Sequence, residues 1–190
     1  MARHGMKSRR RFGTLLQPFN ILRIRYVEKG SPLAFLGEVA LEVPLNHLSC
    51  DLQRLTTAYY LMELITSSTP EKNPDARLYN FLKESLVTLN DHEAPQEILP
   101  HLEYRFLELS GFRPNLSRCP SCGEEWKSEG RYFFAFNAGA IFCSGCLTVG
   151  TEAEVFTRAS LPWVLSRFIE YQMGLPLKSR KFLTLAGLFG

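Results

Sequence analysis

Two short cysteine pairs carry the clearest chemistry in this sequence of 190 residues. "SRCPSCGEEW" holds Cys119 and Cys122, and "IFCSGCLTVG" holds Cys143 and Cys146. The full pattern is Cys-x2-Cys, a twenty-residue spacer, and Cys-x2-Cys again. Each tight turn presents two sulfurs from one loop, and two such turns close a tetrahedral site with metal–sulfur distances of about 2.3 Å. Gly123 and Gly145 give the backbone freedom beside each pair. Four thiolates leave no open position for water, so the expected metal is one structural zinc ion and not a catalytic one. A disulfide and unligated thiols are the other readings of the same residues. A thioredoxin-like redox pair needs a βαβ setting that surrounds neither pair. Cys50 stands alone beside a helix start and reads as a small buried hydrophobe.

No other chemistry declares itself. The sequence has no GxxxxGK[ST] for phosphates, no GxSxG and no HExxH. The four histidines, His4, His47, His92 and His101, fall on expected loop or helix surfaces and suit solvated or capping roles. Glu124 and Glu125 read as solvated turn residues. No catalytic residue is therefore assigned, and an enzyme is not expected.

The second feature is charge. Arg3, Lys7, Arg9, Arg10 and Arg11 precede the first acid, Glu28, while the whole chain carries a net charge of only +3. Phosphate binding needs many cations, mobile enough to follow a backbone. Arg23 and Arg25 extend the positive face along the first clear strand. Phe12, Phe19 and Tyr26 lie nearby in sequence, as stacking on unpaired bases requires. A solvated basic tail followed by two ordinary exposed strand arginines is the other reading.

These residues need elements to position them. Residues 20–28 alternate, with Leu22, Ile24 and Tyr26 on one face and Arg23 and Arg25 on the other, which is the period of a half-buried strand. Residues 34–43 read as a second strand with Gly37 a candidate bulge. Beyond Pro44 the period changes. Ser49 or Asp51 caps a first helix bearing Leu52, Leu55, Ala58, Tyr59, Met62 and Ile65. A second helix carries Leu78, Phe81, Leu82, Leu86 and Leu89. A third carries Ile98, Leu99, Leu102, Phe106 and Leu109, with Pro100 at its start or at a kink and Gly111 as its C-terminal cap. The cysteine module at about 117–150 sits between these helices and another at about 161–173. Its spacer, rich in Tyr132, Phe133, Phe134 and Phe136, suits a hairpin packed against a neighbouring helix. A short terminal helix is expected in "LKSRKFLTLAGLFG".

The hydrophobic fraction of 45% supports a packed core, and no run of about 18 apolar residues exists to span a membrane. No apolar stretch follows the basic opening, so a secretory signal is not expected. Paired cysteines of this kind suit a reducing cytoplasm better than a secreted disulfide framework.

"MKSRRRFGTLLQPFNILRIRYVEKG", and within it "KSRRRFGTLLQPF", resembles the bacterial recombination mediator RecO family near the end of its N-terminal oligonucleotide-binding barrel. "LELSGFRPNLSRCPSCG" and "LKSRKFL" resemble the same family, so the likeness extends over essentially the whole chain. The family barrel begins upstream of the basic run, so the resemblance implies a partial barrel lacking its opening strands. The implied fold is α+β: an oligonucleotide-binding β piece over 1–45, and a helical domain over 46–190 with a zinc ribbon inserted at about 117–150. The implied function is non-catalytic. The protein would bind single- and double-stranded DNA, anneal strands, and help load RecA, together with RecR, on DNA coated by single-strand-binding protein. Contact with the tail of that last protein, and a cytoplasmic, nucleoid-associated location in bacteria, are implied as well. Lys178, Arg180 and Lys181 are candidates for the tail contact, with surface solvation the other reading of each. Two rivals stand beside this reading. A zinc-ribbon accessory factor of transcription or translation would contact nucleic acid with the ribbon itself, but the spacer holds only Lys127 and Arg131 as cations. A metal-dependent nucleic-acid-processing enzyme needs a carboxylate or histidine cluster that the sequence does not offer.

Overall fold

The computed structural model describes residues 12–13, 15–28, 30, 34–71, 73–92, 94–127, 130–148, 150–174 and 176–188. Arg3, His4, Lys7, Arg9, Arg10 and Arg11 lie outside the described residues. The architecture is α+β, with two small sheets and a helical body. Strands β1 (Ile21–Val27) and β2 (Phe35–Val43) form a two-stranded antiparallel sheet. No closed barrel is present among the described residues. The register slips twice. Arg25 faces Glu38 while Tyr26 faces Leu36, so Gly37 is the extra residue, as its position in the sequence suggests. A side chain there would meet the Arg25 carbonyl at 3.3 Å. The second slip leaves Glu42 over, and this turns its carboxylate between Arg23 on β1 (2.7 Å) and Lys83 (3.2 Å) of the helical body.

The body begins with a 3-10 turn at Asn46–Ser49 and helix α1 (Leu52–Ser68), capped by Asp51, whose carboxylate accepts from the Arg54 N–H at 2.8 Å. Helix α2 (Ala76–Asp91) starts the same way, with Asp75 accepting from the N–H groups of Arg77 and Leu78. Helix α3 (Pro95–Leu109) starts at Pro95, so Pro100 is an interior residue that the helix passes through. It ends where Gly111 predicts. Gly111 takes φ +84°, and the N–H groups of Gly111 and Phe112 return to the carbonyls of Glu108 and Leu107, which stops the helix by a left-handed reversal. Helix α4 (Leu161–Met173) stops at Gly174 in the same conformation, and α5 (Arg180–Leu185) follows.

One core joins Leu61 and Leu64 of α1, Leu99 and Leu107 of α3, and Leu165 and Ile169 of α4 to the aromatic side chains of the cysteine module. A second, smaller core of Leu45, Leu48, Ala58, Leu86 and Leu89 takes in Phe19, Ile21 and Val43, and so seats the β1–β2 sheet on the body. Glu63 of α1 accepts the N–H groups of Lys178 (2.9 Å) and Ser179 (2.8 Å) and the Ser179 hydroxyl, which fixes the turn before α5. Cys50 is exposed, contrary to the expectation of a buried thiol. The 3-10 turn buries Leu48 and α1 buries Ala58, and the connection between them, with Cys50 in it, is left facing solvent.

A polar pair lies inside the first core. Tyr60 of α1 donates to Glu103 Oε1 of α3 at 2.7 Å, and both residues are fully buried. Glu103 Oε2 and the nearby core hydroxyl Ser166 Oγ have no protein partner. Burial raises the Glu103 carboxyl to about 8, against the hydrogen bond from Tyr60 and the charge of Arg180. The unfolded carboxyl releases its proton near 4.5, the folded one near 8, so between these values the folded state holds more protons and stability falls as pH rises. Thermal unfolding from pH 5 to 8 should show a melting temperature that declines by up to about 5 °C per pH unit. Glu103→Gln, which keeps the shape and the acceptor, should flatten that decline. An equal slope in both proteins would mean that Glu103 is not the titrating group.

Candidate metal centre

The first cysteine turn leaves α3 through Asn115, whose side-chain oxygen accepts from the N–H of Ser117 (3.2 Å) and the Ser117 hydroxyl (3.1 Å). Its backbone bridges to the ribbon hairpin: Asn115 N–H to Gly139 carbonyl, and Ile141 N–H to Asn115 carbonyl. The turn itself closes by bonds from Cys119 N–H to Glu124 carbonyl and from Gly123 N–H to Cys119 carbonyl, with Gly123 at φ +78°. The spacer folds as expected into a hairpin, β3 (Tyr132–Ala135) and β4 (Ala140–Cys143), and a third strand, β5 (Ala153–Phe156), pairs with the other edge of β3. Tyr132 faces Cys143 in this register, so the hairpin delivers the second cysteine turn at its open end. That turn closes on the Cys143 carbonyl, which accepts from Cys146 and Leu147.

The four sulfurs of Cys119, Cys122, Cys143 and Cys146 all lie within 4.8 Å of one another. Cys122 Sγ and Cys143 Sγ are 3.7 Å apart. The edge of a tetrahedron with metal–sulfur bonds of about 2.3 Å is about 3.8 Å, so the set has the dimensions of a four-thiolate metal site. Cys119 and Cys143 are buried, Cys146 is half-buried and Cys122 is exposed, which leaves a path for the ion. The thiols differ in charge preference. Burial pushes Cys119 up, but the N–H groups of Cys143, Cys122 and Ser121 outweigh it and hold this thiol at about 6. Cys146, sharing hydrogens with Cys143 and Cys122 and standing near a Cys119 thiolate, is pushed up to about 12. The first of these thiols favours its charged form, and the last is opposed by its neighbours. A cation relieves that opposition, and this is why such a cluster binds metal in place of four separate ionisations. These four residues could hold one metal ion, with every position filled by sulfur.

Behind the sulfurs, Tyr132, Phe134 and Phe136 are buried, and Phe134 meets Phe168 of α4 edge-on at 5.1 Å. Trp126 packs on Phe156 of β5 at 5.9 Å. Gly139, at the hairpin turn with φ +58°, lies beneath Phe168, whose ring would stand 2.9 Å from any added Cβ. The Tyr132 hydroxyl donates to Glu124 and to the Glu125 carbonyl, so Glu124 is a staple of the module and not merely a solvated turn residue. Of the expected DNA-binding residues that are described, Arg23 and Arg25 lie on β1 with side chains 79% and 75% exposed, each paired to a carboxylate of β2, Glu42 and Glu38. They stand apart from the cysteine cluster. Among the described residues no other group of three or more ligating side chains converges, and no helix is long and apolar enough to cross a membrane.

A helical body with an inserted four-cysteine ribbon defines a cysteine-ribbon protein. Residues 50–164, well over half the chain, match the family described as recombination protein O C terminal. A DNA repair protein RecO of Syntrophotalea carbinolica is 32% identical over 85% of this chain and 62% of its own length. That of Syntrophus aciditrophicus is 28% identical over 82% of this chain and 60% of its own length. A third, from Anaeromyxobacter dehalogenans, is 30% identical over 96% of this chain and 82% of its own. The chain belongs to the RecO family. It spans about three-fifths of the length of the first two relatives.

Elemental analysis of the purified protein should find one metal ion per chain. Cys143→Ser should lower that content and the melting temperature together, because structural metal in isolated finger peptides contributes on the order of 10–16 kcal/mol. A metal-free protein that melts at the same temperature as the variant and the untreated sample would remove the site.

Proposed function

We propose that the protein acts without catalysis in recombinational DNA repair, binding DNA and bringing complementary strands together, and that it helps load RecA with RecR on strands coated by single-strand-binding protein. The observation that carries this reading is the family match over the helical body and its ribbon, with relatives named DNA repair protein RecO. In this reading the metal is one zinc ion, a structural one, since a tetrahedral all-sulfur set suits zinc and leaves no vacant position. The β1–β2 sheet, within residues 1–45, belongs to an oligonucleotide-binding barrel, and 46–190 form the helical domain with the ribbon at about 117–150.

The mechanism is electrostatic. Two DNA strands repel through their phosphates, and cations that neutralise both let complementary bases meet. Arg3, Lys7, Arg9, Arg10 and Arg11 supply such cations, with Arg23 and Arg25 extending them. The pairs of Arg23 with Glu42 and Arg25 with Glu38 are exposed and therefore weak, so a phosphate can take either guanidinium from its carboxylate. The ribbon is a scaffold in this account. Phe134 and Phe136 are spent on α4, and Glu124 and Glu125 flank the ribbon's turn. For the tail of single-strand-binding protein, Lys178 and Lys181 are exposed, whereas Arg180 is engaged by Glu170 at 2.7 Å.

Strand annealing, with and without single-strand-binding protein, tests the activity. In direct titrations, the logarithm of the affinity for a single strand should fall linearly with that of salt, by about 0.7 per phosphate neutralised. Changing Arg9, Arg10 and Arg11 together to Ala should flatten that slope and weaken binding equally on unrelated sequences. Loss confined to one sequence would point to base readout in place of phosphate contact.

A further inference from the structure

A cleft of about 660 Å³ opens where the loop before β1 meets the end of β2, the 3-10 turn and α1. Its apolar walls include Leu41 and Leu55. Phe19 and Tyr59 stand in it edge to face, centroids 4.9 Å apart and planes at 72°. In that arrangement one ring offers its edge to the other, so its own two faces are not covered by the pair. Tyr59 is 51% exposed although it is a large aromatic residue on a core helix. Around the rings lie Gln17, Asn20, Asn46 and Ser49, all neutral, and no charged side chain lines the cleft among the described residues.

The backbone is arranged to hold one of these rings in place. Phe19 takes φ +65°, a conformation that a bulky side chain rarely adopts. The loop around it is knotted: Asn20 Nδ2 donates to the Leu15 carbonyl at 3.0 Å, and Leu15 N–H to the Phe12 carbonyl at 3.0 Å. The surrounding bonds thus maintain a strained backbone beside the exposed Tyr59 ring.

We propose that this cleft receives an unstacked base of a single DNA strand, stacked on the Phe19–Tyr59 pair with Gln17, Asn20, Asn46 and Ser49 at its polar edge. The chemistry fits a base better than other occupants. Asn20 and Ser49 already donate to backbone carbonyls, but an apolar helix or tail would leave the Gln17 and Asn46 amides facing hydrocarbon. A free phosphate or acidic peptide would find no cation in the cleft. A base has two apolar faces and an edge of donors and acceptors, which side-chain amides and hydroxyls complement whichever base is present. The proposal rests on the reading that the protein binds single strands, and adds that the strand is held through a base as well as through phosphates.

The test compares a normal oligonucleotide with one of equal length that is abasic throughout, each titrated against the full chain by fluorescence anisotropy. The wild-type protein should bind the normal strand more tightly. Tyr59→Ala should weaken binding of the normal strand by about 5- to 150-fold, the range that one base–aromatic stack spans, and leave the abasic strand unchanged. Tyr59→Phe should keep the affinity. Phe19→Gly removes the other ring and suits the backbone conformation at that position, so it tests the cleft even if Tyr59→Ala unfolds. Equal losses on both strands, or none on either while both still bind, would overturn the cleft and leave phosphate binding standing. Absence of binding to any strand would overturn the cleft and the DNA-binding reading together.

Discussion

Helix α1 carries apolar side chains around most of its circumference, and no single neighbour can bury them all. Tyr60, Leu61, Leu64 and Ile65 face the main core, while Leu52, Tyr59 and Met62 emerge on the opposite side. A helix with this distribution needs partners on several sides. The structure supplies α2 and α3 on one flank, α5 on another, and the loop before β1 over part of the remainder. The β1–β2 sheet is a two-stranded unit, too small to stand alone in water. It is held because Phe19, Ile21 and Val43 share the smaller core with α1 and α2, and because the bulge at Glu42 places a carboxylate against Lys83.

The ribbon solves a related problem of size. A module of about thirty residues has too little interior to stand on hydrophobic burial alone. Here its interior is extended outward, because Phe134 and Phe136 belong to the same core as Phe168 and Ile169 of α4. The sulfur cluster then fixes only the far end, where the two cysteine turns meet. The cysteine cluster and the aromatic packing divide the work: the two cysteine turns meet at one end, and the rings hold the module on the body.

Much of this was legible in the residues. The cysteine spacing specified the cluster, alternation marked β1, Gly37 marked the bulge of the less regular β2, and Asp51 and Gly111 marked helix ends through their own backbone chemistry. What escaped had no local signal. Strand β5 is the four residues "AEVF", and its pairing is decided by the free edge of β3 and by Trp126 on Phe156. Glu103 stands in "HLEYRFLEL", where a glutamate normally faces water, and only the approach of α1 and α4 encloses it. The exposed arginines of β1 were visible as cations, but their carboxylate partners depend on a register that two bulges determine. Cys50 read as buried because small apolar residues usually are, and the chain turns outward at that point.

The bonds that Glu63 accepts from Lys178 and Ser179 join partners 115 and 116 residues apart. At a synthesis rate of about 5–20 residues per second, Lys178 is added about 6–23 s after Glu63. Helix α1 therefore emerges from the ribosome well before its last partner exists, with apolar side chains on more than one side and a carboxylate still waiting for its donors. Local helix formation takes microseconds by comparison. The nascent chain must carry an incompletely covered helix through that interval, a state in which a chaperone or another nascent chain can reach surfaces that the finished protein keeps closed.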